Sequence, residues 1–198
     1  MRILLKLELD CTPDAAWRAL HSSRAIAELY GPLIEMVPLE AQPATSLESG
    51  ADVPVQLRAL GALDIGRQLI HVEDRYTEDS HGPVRILRDS GIPLTGPLSQ
   101  LDVWDHQMAV SAVPGRPDKT LWRDRLVIGG IAAGPLWPVL WATWQYRAMR
   151  LRALAPTWSY EPEPTTDGAS SAAANTAAAT TEPAAPQDGD GGPGSADR

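Results

Sequence analysis

Phenylalanine does not occur in this 198-residue chain, cysteine occurs once, and lysine is found only at Lys6 and Lys119. With Cys11 alone there is no intramolecular disulfide and no cysteine-based structural zinc site. The four histidines, His21, His71, His81 and His106, are scattered without the close spacing of metal ligands. Neither SGIPLTGP nor GGIAAGP matches a phosphate loop or a dinucleotide fingerprint, and G-x-S-x-G is missing. No metal and no cofactor is therefore expected. MRILLKLELD has no apolar core of the kind a signal peptide carries, so the expected location is cytoplasmic.

Charge and apolar residues are unevenly spread. From about Ser159 onward there is no Leu, Ile, Val, Met or Trp, while seven acidic residues face Arg198 alone. Such a segment buries too little apolar surface to offset its ordering entropy. Residues 159–198 are expected to be a disordered acidic tail, a solubilising appendage, and residues 1–158 the folded domain. The tail holds six of the eight net negative charges, which leaves the domain close to neutral. Nucleic acid is not an expected partner, because binding it needs a clustered basic excess.

Within the domain, ILLKLELD alternates Ile3, Leu5, Leu7 and Leu9 with polar residues, the pattern of a half-buried strand. CTPDAAWRAL follows as a helix with Thr12 as N-cap, Pro13 in the first helical position and Asp14 at the positive end of the dipole. SSRAIAELYGP reads as a second short helix ended by Gly31-Pro32. From 53 to 128 five strand-like runs are separated by Gly, Pro, Asp and Ser, which suggests an antiparallel meander.

Leu126 to Tyr146 carries no charge over 21 residues. Gly129-Gly130, Gly134-Pro135 and Pro138 interrupt it, and its start continues the strand TLWRDRLVI, so it is not read as a membrane span. The remainder is expected to be an amphipathic helix from about Leu136 to Ala155. Trp137, Leu140, Trp141, Trp144, Ala148 and Leu151 would form its apolar stripe, with Arg147, Arg150 and Arg152 to the side.

The order of strand, two short helices, long antiparallel sheet and long last helix resembles the START/polyketide-cyclase (SRPBCC) superfamily. TPDAAWRAL, TLWRDRLVI and WQYRAMRLRAL resemble its first helix, its penultimate strand and the end of its closing helix. ELYGPLIEMVPL departs from the family's frequent Trp followed by Pro. The resemblance implies an α+β helix-grip fold, a curved antiparallel sheet wrapped around the C-terminal helix. It also implies a cavity between them for hydrophobic small molecules, with no universal catalytic residue.

Alternation then nominates the lining. One face of LDVWDHQMAVSAV carries Trp104, His106, Met108 and Val110, and one face of TLWRDRLVI carries Trp122, Asp124, Leu126 and Ile128. If PGRPDKT closes a hairpin, His106 and Asp124 lie opposite or one diagonal step apart. A carboxylate on a histidine in an apolar site is how a general base is tuned. The plainer reading is a buried pair satisfying one another, or Asp124 paired with an arginine such as Arg88.

Three functions follow. The first is a binder or carrier of a lipid-like or polyketide-like molecule, walled by Trp104, Met108, Trp122, Trp141 and Trp144. The second is an aromatase/cyclase or dehydratase with His106 as base oriented by Asp124. The third is docking on a membrane surface or partner through the Trp-rich helix.

Overall fold

The structure is a computed structural model and describes residues 1–40 and 47–160. The expected tail lies almost wholly outside the described residues. Seven antiparallel strands form one sheet in the order β1-β7-β6-β5-β4-β3-β2, with β1 at Arg2–Leu9, β2 at Ile34–Pro38 and β3 at Asp52–Ala59. The remaining strands are β4 at Leu63–Asp79, β5 at Gly82–Asp89, β6 at Val103–Val113 and β7 at Arg116–Gly129. Helices α1 (Pro13–His21) and α2 (Ser23–Tyr30) carry the chain from one sheet edge to the other, and α3 (Ala133–Leu154) closes the fold. This is an α+β architecture with a curved sheet and a C-terminal helix.

Local chemistry sets the first helices. Thr12 Oγ1 accepts from Ala15 N at 3.3 Å, and Pro13 gives up no bond at the first helical position. Ser22 ends α1 through its own N–H on Ala19 O and begins α2 by accepting from Ala25 N.

The helices cover one face of the sheet. Ala15, Ala16, Leu20 and Leu29 from the first two pack with Leu7, Val72, Leu87, Met108 and Val110 from the strands. Leu140 and Trp144 of α3 pack on Ile3, Leu126 and Ile128. A 3-10 helix over Ala155–Tyr160 extends α3 and buries Trp158 beside Trp122.

Three expectations are corrected. β2 was not anticipated, since five residues at a sheet edge ending in Pro38 give little periodicity. PGRPDKT is not a loop: β7 begins at Arg116, so the turn lies at Pro114-Gly115. Helix α3 begins at Ala133, ahead of Leu136, and tolerates Pro138 because the carbonyl left without its donor belongs to the exposed Gly134.

After β5 the chain keeps bonding along β4, with Leu69 N donating to Ile92 O and Leu94 N to Arg67 O. Gly91 makes this approach possible, since a Cβ there would fall 1.8 Å from Leu69 O. Gly91→Ala is expected to cost about 1–3 kcal/mol as the segment is pushed off β4. A urea midpoint unchanged from wild type would contradict this.

Candidate functional site

β6 and β7 present His106 and Asp124 on the helix-covered face. The register sets His106 opposite Leu126 and Met108 opposite Asp124, so the two polar residues are diagonal neighbours. His106 Nε2 lies 2.9 Å from Asp124 Oδ1. From α3, Trp144 Nε1 donates to the same oxygen at 2.9 Å, while Arg147 Nη1 meets Asp124 Oδ2 at 2.7 Å. Trp122 Nε1 is a longer donor to Oδ2 at 3.5 Å.

Arg147 corrects the expectation that it lies to the side of the helix. It is 1% exposed, held between Asp124 and the rings of Tyr30, Trp122 and Trp144 at 5.2–5.9 Å, with Nη2 on Met108 Sδ at 2.8 Å. The sequence does carry a signal. Arg147 stands three residues after Trp144 and four before Leu151, on the buried stripe itself. Arg88, suggested as a partner of Asp124, instead pairs with Asp105 at 2.5 Å on the opposite face.

Burial by itself pushes the Asp124 carboxyl up. The charge of Arg147, together with hydrogen bonds from His106 and Trp144, outweighs it and holds the group well below the usual carboxylate range. Asp124 is therefore a buried anion with a buried cation beside it.

His106 Nε2 also lies 2.9 Å from Arg147 Nη1. A guanidinium only donates. A neutral ring can thus give its Nε2 proton to Asp124, or accept from Arg147 with the proton on Nδ1, but not both. Nδ1 has no partner among the described residues and belongs to a ring that lines a cavity.

That cavity, about 70 Å³, lies between β3, β4, β5, β6 and α3. Its buried walls are Leu57, Gln68, Asp89, His106, Leu140, Thr143 and Trp144. Ile34, Met36, Ile65, Leu98 and Trp104 are less deeply buried and form the mouth. Asp89 accepts from the N–H groups of His71 and Gly91 at one oxygen and from the Trp104 indole at the other. Burial pushes the Tyr30 phenol up to about 12 against the pull of Arg147, so it remains a donor at any ordinary pH.

The expected walls are therefore divided. Trp104 and Trp144 line the cavity together with His106. Trp122 and Met108 are buried but surround Arg147 rather than the cavity. Trp141 is 46% exposed and stacks on Trp137, because α3 is rotated to bring Thr143 and Arg147 inward. Sequence reasoning missed Gln68 and Tyr30. The alternation of Gln68, Ile70 and Val72 was the available signal for Gln68.

Among the described residues no group of three or more His, Cys, Asp or Glu side chains converges as a metal site, and no helix is long and apolar enough to cross a membrane. Of the three arginines near the end of α3, Arg147 is buried and Arg150 donates to Glu28 O, which leaves Arg152 exposed.

No protein-family model and no curated protein matches the sequence. Solved structures do match the backbone. One protein from Nitrosospira multiformis is 9% identical, with 81% of this chain and 100% of that one covered at a TM-score of 0.53. A hypothetical protein from Helicobacter pylori is 14% identical, with coverage of 78% and 88% and a TM-score of 0.51. A protein from Chromobacterium violaceum is 18% identical, covers 78% and 97%, and scores 0.50. At these identities the likeness is one of fold alone.

Proposed function

We propose that this protein binds a hydrophobic small molecule, lipid-like or polyketide-like, between the sheet and α3. The observation that carries this reading is the cavity itself, with apolar walls and a few buried polar groups at its floor. The helix-grip resemblance supports the same use of the space. The volume restricts what is enclosed: a cavity of about 150 Å³ takes up benzene, and this one is about half as large. A small ring or a chain end occupies the floor, and any longer portion leaves past Met36 and Leu98.

A second reading is favoured by one feature, the His106 ring between the cavity and Asp124. With its Nε2 proton given to Asp124, Nδ1 offers a lone pair to a proton next to a ligand carbonyl, as a cyclase or dehydratase requires. Docking through α3 is supported less, since Arg152 alone of the three arginines stays exposed.

Native mass spectrometry of the full chain purified from its own cells tests the binding reading. A near-stoichiometric small molecule, lost on denaturation, is the expected result. No adduct, together with unchanged tryptophan fluorescence across fatty acids and aromatic polyketides, would sink it. His106→Ala separates carrier from enzyme, since it would abolish turnover while weakening binding only a few-fold.

A further inference from the structure

Gln68 is 6% exposed, lines the cavity, and its side-chain amide has no hydrogen-bond partner among the described residues. Its backbone is already used, facing Val55 across the ladder and Pro93 in an isolated bridge. Gln56 on the neighbouring strand shows how the same side chain is treated elsewhere. It is similarly buried, yet donates to Asp64 and Gly66 O and accepts from Arg67. Buried amides are normally satisfied in this way. The Gln68 amide thus faces the cavity with two donors and an acceptor free, and the Tyr30 hydroxyl on the same lining is likewise without a partner among the described residues.

The charge of the site selects against anions. The Asp89 carboxylate is part of the wall and Asp124 lies directly behind His106. Arg147, which could have neutralised an incoming carboxylate, is committed to Asp124 and does not line the cavity. A buried anion without a counter-charge is strongly disfavoured.

We propose that the occupant is a neutral molecule presenting a hydrogen-bond donor and acceptor side by side, a lactam being the simplest case, read by the Gln68 amide, with the Tyr30 hydroxyl on the same lining as a further donor. The inference rests on the binding reading above and adds the chemistry of the ligand's polar edge. A primary amide offers its oxygen and nitrogen in one plane, which matches the N–H and C=O of a cis amide in two parallel bonds. His106, able to donate or accept at Nδ1 according to tautomer, accommodates a further group of either kind.

Titration calorimetry on the full chain tests this with δ-valerolactam, its N-methyl derivative, cyclohexanone, benzene and cyclohexanecarboxylate. The lactam is expected to bind about tenfold or more tightly than its N-methyl derivative, the loss of a hydrogen bond to a buried partner being of that order. The carboxylate is expected not to bind. Gln68→Met, of similar volume, should erase the preference and leave benzene unaffected; Gln68→Leu serves as a second variant. Neither should melt below wild type through lost hydrogen bonds, because none is lost. Benzene and cyclohexanone binding without a lactam preference, or a preference that survives Gln68→Met, would overturn the amide-edge inference and leave the cavity reading standing. If no probe binds wild type, the cavity reading falls and the inference with it.

Discussion

Arg147→Met should remove about 3–5 kcal/mol of stability, since it strands an ionised carboxylate in an apolar interior. The Asp124 side chain has no exposed surface, and without Arg147 its remaining partners are His106, Trp144 and the distant Trp122. Arg147 also loses its stacking on Tyr30, Trp122 and Trp144, although methionine keeps much of the apolar stem's volume. Urea denaturation reads the effect as a lower midpoint at unchanged slope. Asp124→Asn is expected to be comparably damaging, because it leaves the guanidinium unpaired. The double variant Arg147→Met/Asp124→Leu should be much closer to wild type than the sum of the single losses, because both charges leave together. A single Arg147→Met variant within about 1 kcal/mol of wild type would mean that the pair does not hold the core as described.

Stability is expected to fall steeply below about pH 4, the ordinary carboxylate range. The sign follows from Asp124, whose folded-state pKa is depressed. Above the unfolded-state pKa both states are ionised and the contribution is fully present. As the pH falls further the unfolded chain takes up a proton that the folded chain refuses, which costs up to about 1.4 kcal/mol per pH unit. Asp79, Asp105 and Glu73 are also depressed and add to the wild-type slope, but they remain in the variants and cancel in a comparison. In Arg147→Met the largest opposing charge is gone, leaving His106 and the indole donor of Trp144 against burial, and the Asp124 carboxyl moves up from its wild-type position. That variant should therefore lose less stability than wild type as the pH falls below about 4. Parallel curves for the two proteins between pH 3 and 7 would show that Asp124 is not ionised by Arg147.

Much of the frame was legible in the residues. Strict alternation from Trp104 to Val110 and from Trp122 to Ile128 put His106 and Asp124 on the same face as large apolar side chains, and an antiparallel sheet commonly packs one face on the core and leaves the other to solvent. Thr12 and Pro13 marked the start of the first helix because capping depends on atoms within four residues. These are short-range effects, and a sequence determines them by itself.

The composition of the site was a different matter. Arginine is read as solvent-seeking, so Arg147 was set aside although its spacing from Trp144 and Leu151 placed it on the buried stripe. Only the approach of Asp124, from a strand twenty-odd residues away, makes burying that charge tolerable. The rotation of α3 that turned Trp141 outward likewise depends on which side chains the sheet offers beneath it. Gln68 and Tyr30 became candidates when packing left them without partners, a fact about neighbours that no local pattern contains. Local pattern alone accounts for the strands other than β2, the caps and the inward placement of His106 and Asp124. Tertiary structure decided which buried polar groups are satisfied and which are left free, because a hydrogen bond between distant residues exists only once the chain has brought them together.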